Sequence, residues 1–568
     1  MADDFDIDKV NILPIDKKGN LEIAKDTLCL DFWPSVYILY DDTTHFIYVG
    51  ETADIKTRIK IHSKHNIKGK LKHRIVLNSV YFNKSVTLQL EAYLISYLSA
   101  DRKYKLLNGN LGLRKHNYFN QDEYEKVYSK IWDHLKAKLI VNKTIEELTP
   151  TNEFKYTPFK SLNIDQQRAT IAVLEGLRDG KKTIVIRGIA GTGKTVLATY
   201  LMKLLATPIT ELDAEELDDS FSIQSAALLR ELQPQLVDSP KDDLALVVPM
   251  TSLRGTISKV FAKIEKLSSK MVISPSKVTK HLYKLLIVDE AHRLRRRVGL
   301  TNFSSILDKP NKVLGFPKET NELTWMLRRS QARILFYDEL QSIRPSDVLE
   351  EEFTELMNKS DTLVVTLQTQ IRSKGGVLYT DFVFRLMRGL LKSKERFNSD
   401  HYELFLVERF QDLVDKIRND ETGYSRLVSG FAWDWASKKD KDVNDIDIED
   451  IELMWNTTVE DWVNSPNAKN EVGCIHTVQG YEMPYVGVIF GKDIGYDLEK
   501  EELFICKYEY KDKKGKATAE PHEIKRYITN IYSTLLLRAE LGTYIYCCDP
   551  GLRTYFKRHI KLYKSSDQ

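Results

Sequence analysis

The distribution of hydrophobic and polar residues divides the chain into two parts with different periodicities. In the first part, two β-like runs at 35–40 and 46–49 flank a polar tetrapeptide and predict a β-hairpin. Helical spacing of apolar residues follows at 54–64, 86–99 and 121–139. This part is therefore predicted to be a small domain that mixes strands with helices.

The second part, beyond residue 161, alternates short apolar runs with helical stretches. Continuous apolar strands between helices are typical of parallel sheets covered on both faces. The predicted strands are 183–186, 244–248, 285–288, 333–337, 362–367, 403–407, 485–490 and 543–546. About 400 residues of this pattern predict two α/β domains.

A polar stretch containing Pro150 and Pro158 separates the two patterns and predicts a linker. The predicted units are a lead-in over 1–33, a first domain over 34–140, the linker over 141–161, and two α/β domains over 162–355 and 356–568.

The composition is 42% hydrophobic and 29% charged, as in soluble globular proteins. We find no apolar run near the roughly 18 residues that span a bilayer, and the acidic start lacks the basic region of a signal peptide. The five cysteines are scattered and form no C-x-x-C pair, so neither a disulfide framework nor a zinc site is indicated. We therefore expect a reducing, cytoplasmic location and no membrane contact.

Charge is unevenly distributed, although the net charge is only +3. Between residues 51 and 120 there are 14 Lys and Arg residues against four Asp and Glu residues. Such a stretch favours a polyanionic partner, and a solvated basic face is the alternative.

The segment GIAGTGKT at 188–195 lies between a predicted strand and a predicted helix, which is the context of a phosphate-binding P-loop. Glycines let the backbone amides curl around phosphates, the lysine reaches the β- and γ-phosphates, and the final hydroxyl binds Mg²⁺. The residues with these roles would be Gly188, Gly191, Gly193, Lys194 and Thr195.

An apolar strand at 285–288 ends in the carboxylates Asp289 and Glu290. Asp289 would hold Mg²⁺ through water, and Glu290 would orient or deprotonate the attacking water. Together with the P-loop, this pair predicts hydrolysis of ATP or GTP.

Further segments resemble, in order, the motifs of superfamily 1 helicases, which makes ATP the expected nucleotide. They are 162–167, 336–341, 370–372, 476–482 and 532–539. The resemblance implies that Gln166 reads adenine, Gln341 senses the γ-phosphate, and Arg372 and Arg538 contact phosphate, with Arg538 as the finger. The segment H-x-x-Q-G-x-E adds Gln479, Gly480 and Glu482. Leu537 departs from the threonine usual before the final arginine.

The segments 425–435, 455–456 and 473–476 resemble the Schlafen group 3 DNA/RNA helicase domain more specifically. This resemblance covers about 160–550 and implies two RecA-like domains. Its tryptophans are interpreted as core or interdomain packing residues rather than catalytic groups.

The first part resembles the GIY-YIG nucleases over about 34–118. The two halves of the signature are V-Y-I at 36–38, where Val36 replaces the usual glycine, and Y-V-G at 48–50. Residues 53–62 resemble the first family helix, with Arg58 in the catalytic position, and 107–110 resemble the segment that carries Asn108.

Glu91 shares a predicted helix face with apolar Leu94, Ile95 and Leu98. A carboxylate on that face needs a partner, either a metal ion or a lysine.

The GIY-YIG resemblance implies phosphodiester hydrolysis. A divalent ion on Glu91 would polarise the phosphate, and Arg58 would neutralise developing charge. Tyr37 and Tyr48 would orient or deprotonate water, and which of them is the base stays open. His62 either assists or is an exposed helix histidine.

The predicted fold is α/β overall, with a small α+β GIY-YIG nuclease domain followed by two RecA-like parallel-sheet domains. The predicted cofactors are ATP and Mg²⁺ or Mn²⁺, and the predicted partner is nucleic acid, with DNA expected ahead of RNA. Fusion of a nuclease to a motor favours defence against foreign nucleic acid. A DNA-repair nuclease–helicase and an ATP-gated sensor that does not unwind are the alternatives.

Overall fold

The helices and strands of the protein build a small mixed-sheet domain followed by two larger domains with parallel sheets. The computed structural model describes residues 9–18, 32–109, 118–149, 151–211, 220–236, 240–300, 302–369, 373–393, 395–438, 440, 442–458, 462–478, 481, 483–516 and 520–564. No helix in these ranges combines the length and the apolarity needed to cross a bilayer.

The N-terminal domain contains a sheet in the order β1-β4-β2-β3-β5, antiparallel except between β3 and β5. Its elements are β1 (Asn11–Pro14), β2 (Ser35–Asp41), β3 (Phe46–Thr52), α1 (Ile55–Lys64), β4 (His73–Asn78), α2 (Lys84–Asp101), β5 (Lys105–Leu106) and α3 (Gln121–Ala137). The predicted hairpin and the three predicted helices are confirmed. β1 lies within the predicted lead-in, so part of that segment belongs to the domain.

Alternation along β2 and β3 sends successive side chains to opposite faces of this sheet. Val36 and Ile38 pack with α2 and α3, whereas Tyr37 and Tyr48 pack on the other face with α1. The two signature tyrosines are therefore held against the helix that carries Arg58.

The predicted linker is not a polar tether, which corrects the sequence analysis. It contains α4 (Ile145–Leu148) and α5 (Asn152–Lys155). Leu148 and Phe159 are fully buried in the core of the N-terminal domain. Ser96 on α2 donates a hydrogen bond to the Phe159 carbonyl at 2.8 Å.

The first larger domain has a parallel sheet in the order β11-β6-β10-β9-β7-β8. Five of its six strands coincide with apolar runs predicted from the sequence, and the two-residue strand β8 was not predicted. Its elements are α6 (Ile164–Arg178), β6 (Thr183–Arg187), α7 (Lys194–Ala206), α8 (Ser220–Leu236), α9 (Pro240–Asp243), β7 (Leu244–Val247), α10 (Thr251–Phe261), β8 (Val272–Ile273), α11 (Pro275–Val278), β9 (Tyr283–Val288), α12 (Lys309–Leu314), α13 (Glu322–Arg328), β10 (Ser330–Tyr337), α14 (Glu350–Met357) and β11 (Thr362–Thr366).

The second larger domain has a parallel sheet in the order β16-β13-β17-β20-β12-β21, with hairpins β14–β15 and β18–β19 attached. Its elements are α15 (Gly376–Leu386), β12 (Glu403–Leu406), α16 (Phe410–Arg418), β13 (Arg426–Ser429), β14 (Ile446–Ile448), β15 (Ile451–Leu453), β16 (Val472–Cys474), α17 (Ile475–Val478), β17 (Met483–Phe490), β18 (Ile494–Asp497), β19 (Glu502–Ile505), α18 (Lys513–Lys516), α19 (Pro521–Leu536), β20 (Ala539–Cys547), α20 (Pro550–His559) and β21 (Lys561–Leu562). Both larger domains thus have a parallel sheet connected through helices, as predicted.

Candidate nuclease and nucleotide sites

The Tyr37 hydroxyl is the centre of the candidate nuclease site. Arg58 Nε donates a hydrogen bond to this hydroxyl oxygen at 3.0 Å, and His62 Nε2 lies 2.7 Å from it. Because the oxygen accepts from Arg58, its own proton can be donated to His62. A Cβ on Gly50 would lie 2.2 Å from the same oxygen. The signature glycine therefore leaves the space in which the Tyr37 phenol packs against β3.

His62 is 4% exposed, which excludes its interpretation as an exposed helix histidine. Its ring lies 5.5 Å from the Tyr37 ring and 5.2 Å from the Tyr48 ring. Lys68, in the short turn Lys68–Lys70 after α1, lies 3.7 Å above the Tyr48 ring and is 6% exposed. The structure thus brings His62 and Lys68 to the two predicted tyrosines.

Asn108 fixes the backbone of β3 between Tyr48 and Gly50. Its side-chain oxygen accepts from the Val49 amide at 3.0 Å, and its side-chain nitrogen donates to the Val49 carbonyl at 2.7 Å. Asn108 is buried, and both of its hydrogen bonds hold the backbone of β3 in place.

Glu91 lies on α2 and is half-buried, whereas Leu94, Ile95 and Leu98 on the same helix are buried. Glu91 is thus at the border of the apolar face rather than within it, which corrects the expectation of an inward carboxylate. A half-buried carboxylate fits a Mg²⁺ site, because Mg²⁺ usually keeps several waters and uses one or two protein carboxylates. Among the described residues, no three His, Cys, Asp or Glu side chains form a metal-binding cluster.

The P-loop follows β6 and leads into α7, as predicted. Gly191 and Gly193 have φ of 89° and 78°, a region that favours glycine. Lys194 is 5% exposed and donates to the carbonyls of Gly188 and Ile189 at 2.6 and 2.9 Å. The lysine therefore curls back over the loop that would hold the phosphates.

The predicted Mg²⁺ ligands lie together at the end of β9. The Thr195 hydroxyl donates to Asp289 Oδ2 at 2.8 Å, and Asp289 Oδ1 is buried without a hydrogen-bond partner among the described residues. Burial, together with the Glu290 carboxylate, raises the pKa of Asp289 to about 7. A buried oxygen without a partner beside a hydroxyl fits a Mg²⁺ ion, which would also favour the ionised carboxylate.

Glu290 adopts the left-handed backbone conformation, with φ of 51°. For a residue with a Cβ this costs about 1–2 kcal/mol, and such strain concentrates at functional sites. Its carboxylate lies 2.8 Å from His292 Nε2. Burial acts to raise the pKa of Glu290, but His292 and Lys194 outweigh it and lower that pKa, so the carboxylate is ionised.

A chain of polar contacts joins the P-loop to the second parallel-sheet domain. Lys194 Nζ pairs with buried Asp338 at 2.9 Å, and Gln341 donates to the same Asp338 oxygen at 2.5 Å. Arg538, which is 2% exposed, donates to Gln341 Oε1 at 3.4 Å. The structure thus brings together three predicted site residues from both domains, through an aspartate that the sequence analysis did not single out.

Two family models match the chain. One, described as Schlafen group 3, DNA/RNA helicase domain, matches residues 181–549, which is more than half of the chain. The chain belongs to the Schlafen group 3 helicase family. The other, described as GIY-YIG catalytic domain, matches residues 34–105, so this Schlafen group 3 helicase carries an N-terminal GIY-YIG domain.

Relatives of this GIY-YIG–Schlafen group 3 fusion are distant. An uncharacterized protein of Saccharomyces cerevisiae is 24% identical over 408 residues, covering 66% of this chain and 84% of its own. A Pif1 helicase from Bacteroides, solved with ADP-AlF3 and ssDNA, is 11% identical over 66% of this chain and 91% of its own, with a TM-score of 0.26. The Candida albicans Pif1 helicase is 12% identical over 71% of this chain and 97% of its own, also with a TM-score of 0.26. Because these TM-scores are low, the assignment of two parallel-sheet domains rests on strand order and the family match.

Other predicted nucleotide-binding residues of the helicase region remain predictions. Gln166 is buried, and its side-chain nitrogen lies 3.4 Å from the Thr192 carbonyl of the P-loop. Four lie outside the described residues: Arg372, Gln479, Gly480 and Glu482. Asp165 accepts from the Gln368 and Thr369 amides at 2.6 and 3.0 Å, just before the segment that contains Arg372.

Proposed function

We propose that the protein is an ATP-dependent nuclease–helicase, which hydrolyses ATP to move along or remodel nucleic acid and cuts the phosphodiester backbone at its GIY-YIG site. The observation that carries the proposal is the contact chain Lys194–Asp338–Gln341–Arg538, which crosses from one parallel-sheet domain to the other. A nucleotide that binds Lys194 must disturb this chain, and the disturbance reaches the second domain directly.

In the ATP site, Lys194 would exchange the Asp338 carboxylate for the β- and γ-phosphate oxygens. Thr195 and Asp289 would hold Mg²⁺, which neutralises phosphate charge when bound. Ionised Glu290 would orient or deprotonate the attacking water, and Arg538 would stabilise charge that develops on the γ-phosphate. Gln341 is placed to report this change, because it contacts both Asp338 and Arg538.

In the nuclease site, we propose Tyr37 as the group that takes a proton from the attacking water. The Arg58 guanidinium stabilises negative charge on its oxygen, and His62 Nε2 is within hydrogen-bond distance to accept the phenol proton. Glu91 would hold a divalent ion, which supplies charge neutralisation at the scissile phosphate. Tyr48, held beneath Lys68, would position the substrate.

The test compares ATPase and cleavage in the same preparations, on single- and double-stranded DNA and RNA. Lys194→Ala should abolish ATP hydrolysis, because it removes the cation that binds the phosphates. Arg58→Ala should lower cleavage by about 10² or more while ATPase is retained, since the two sites share no residue. Loss of ATPase in Arg58→Ala, or normal cleavage by it, would contradict the assignment.

We further propose that the biological role is defence against foreign nucleic acid, which the fusion of nuclease and motor supports. A deletion strain should lose resistance to virus infection and keep its resistance to ultraviolet light. The reverse pattern would assign the protein to DNA repair instead.

A further inference from the structure

The carboxyl ends of β13 and β17 meet at a topological switch point in the second parallel-sheet domain. From β13 the chain continues to β16 on one side, and from β17 it continues to β20 on the other. Loops that leave neighbouring strands in opposite directions open a crevice, and ligands of parallel sheets bind in such crevices. This end of the sheet is therefore where a ligand site is expected.

The loop over 430–438, here called the aromatic loop, lies across this end of the sheet. A Cβ on Gly491, directly after β17, would lie 2.2 Å from Ala432 Cβ and 3.2 Å from the Trp433 ring. Asp445 ties the loop to the segment that carries Trp455, because its carboxylate accepts hydrogen bonds from the Ser437 and Trp455 amides at 2.8 Å each. Its shape is therefore preorganised.

Three aromatic side chains of the loop, Phe431, Trp433 and Trp435, are only half-buried. They surround Trp455, which is fully buried, and Phe431 lies flat on it with ring centroids 5.9 Å apart and an interplanar angle of 11°. Trp455 fills the core beneath them, and each of the three outer rings retains some surface that is exposed to solvent. Partly exposed aromatic rings on a fixed loop can pack on the core with one face or edge and stack against a flat ligand with the other.

Cations and a further aromatic side chain line the same surface. The Lys511 amide donates to the Phe431 carbonyl at 2.8 Å, and Lys511 Nζ lies 4.7 Å from the ring of Tyr508, which is 79% exposed. Lys438 Nζ lies 5.5 Å from the Trp435 ring. Exposed Lys507 and Lys513 flank this segment, and Lys511 Nζ also pairs with Glu509 at 3.3 Å, so lysines, one of them already paired with a carboxylate, stand beside the aromatic rings.

This surface is continuous with the helicase motif that begins at His476. The Phe431 and His476 rings are 6.4 Å apart. His476 Nδ1 lies 3.1 Å from an Arg344 nitrogen of the first parallel-sheet domain, three residues after Gln341. Burial lowers the pKa of His476, which keeps the ring neutral at physiological pH. Two side chains, His476 and Arg344, thus connect the aromatic loop to the segment that follows Gln341.

We propose that Phe431, Trp433, Trp435 and Tyr508, with Lys438 and Lys511, form a stacking surface for the unpaired bases of single-stranded nucleic acid. This inference rests on the proposed function and names the surface by which the motor holds its strand. Aromatic rings bind every base through its flat face, and the lysines pair with the backbone phosphates. Duplex bases are already stacked on each other, so the surface selects single strands.

The experiment measures ATPase as a function of oligonucleotide concentration, in an Arg58→Ala background that leaves the probe uncut. The probes are oligo-dT and oligo-U of about 20 nucleotides, which do not fold, and a blunt duplex. Trp435→Leu and Tyr508→Ala should each raise the half-stimulating concentration about fivefold to more than a hundredfold, the range for losing one base–aromatic stack. Trp435→Phe keeps a ring and should stay near wild type.

Tyr424→Ala is the matched control for Tyr508→Ala, because Tyr424 is 49% exposed and precedes the opposite end of β13. Thermal unfolding checks that Trp435→Leu is folded. If Trp435→Leu does not fold, Tyr508→Ala alone decides the test, because Tyr508 is exposed and its loss leaves the core intact. If wild-type ATPase ignores every nucleic acid, the proposed function fails. Two other outcomes would refute the stacking surface alone. In the first, single strands stimulate ATPase, but Tyr508→Ala and folded Trp435→Leu respond to them as the wild type does. In the second, the duplex stimulates ATPase as well as the single strands do.

Discussion

Replacing Tyr37 by phenylalanine removes one oxygen atom from the nuclease site and leaves the ring in place. That oxygen accepts from Arg58 Nε at 3.0 Å and lies 2.7 Å from His62 Nε2. The ring itself is fully buried beside Gly50, so its packing is retained. The variant thus isolates the proton-accepting role of the hydroxyl from its structural role.

The expected effect on cleavage is large and the effect on stability is modest. Loss of a positioned general base lowers a rate by about 10²–10⁴. Arg58 and His62 each lose one hydrogen bond, and a typical hydrogen bond contributes about 0.5–1.5 kcal/mol to folding free energy. Cleavage should therefore fall by at least about 10² while the domain remains folded.

The assay follows cleavage of single- and double-stranded substrates in Mg²⁺ or Mn²⁺, with ATPase measured on the same preparation. Tyr40→Phe is the matched control, because Tyr40 lies on β2, is half-buried and contacts His73 rather than His62. Tyr40→Phe should cut normally, and both variants should hydrolyse ATP normally. Cleavage by Tyr37→Phe within about threefold of wild type would refute Tyr37 as the base.

Four further outcomes are expected. Glu290→Gln should bind ATP but hydrolyse it slowly, because an amide cannot act as a base; turnover at the wild-type rate would contradict this role. Glu91→Ala, or EDTA with the wild type, should abolish cleavage and leave substrate binding, as measured by fluorescence anisotropy. A fragment over 9–161 should fold and bind nucleic acid with an affinity that falls steeply with salt; binding indifferent to salt would contradict the basic patch. Burial raises the pKa of Asp493 to about 7, so the native state holds its proton more tightly and loses about 1.4 kcal/mol of stability per pH unit from about pH 4 to about 7. Asp493→Asn should lose less stability per pH unit than the wild type when urea unfolding is followed across that range, and an unchanged slope would contradict the role of Asp493.

The sequence predicts those site residues that belong to a short motif next to a recognisable strand. The P-loop, the Asp289–Glu290 pair and the GIY-YIG tyrosines each follow a strand or lie on one, and local pattern identifies them. His62 and Lys68 are different, because only the packing of α1 against β2 and β3 brings them to Tyr37 and Tyr48. An i to i+4 spacing from Arg58 to His62 was the available signal, and it places both on one helix face.

Asp338 was missed for a related reason. Its position directly after β10 is visible in the sequence, but its role depends on meeting Lys194 from another strand and Gln341 from its own turn. β13 and β16 were missed because each is only three or four residues long and contains polar residues or glycine, so no apolar run marks it.

The packing of 141–161 changes how the two activities are related. Phe159 lies in the core of the nuclease domain, and Leu162, three residues later, lies in the core of the first parallel-sheet domain. Ile264 packs against both cores, and Lys105 on β5 pairs with Glu265 at 3.6 Å. A flexible tether would let the nuclease cut anywhere within its reach. A docked nuclease would instead follow the first parallel-sheet domain as a body. Under the proposed function, each ATP-driven opening of the cleft would then advance the strand relative to a cutting site fixed on that domain.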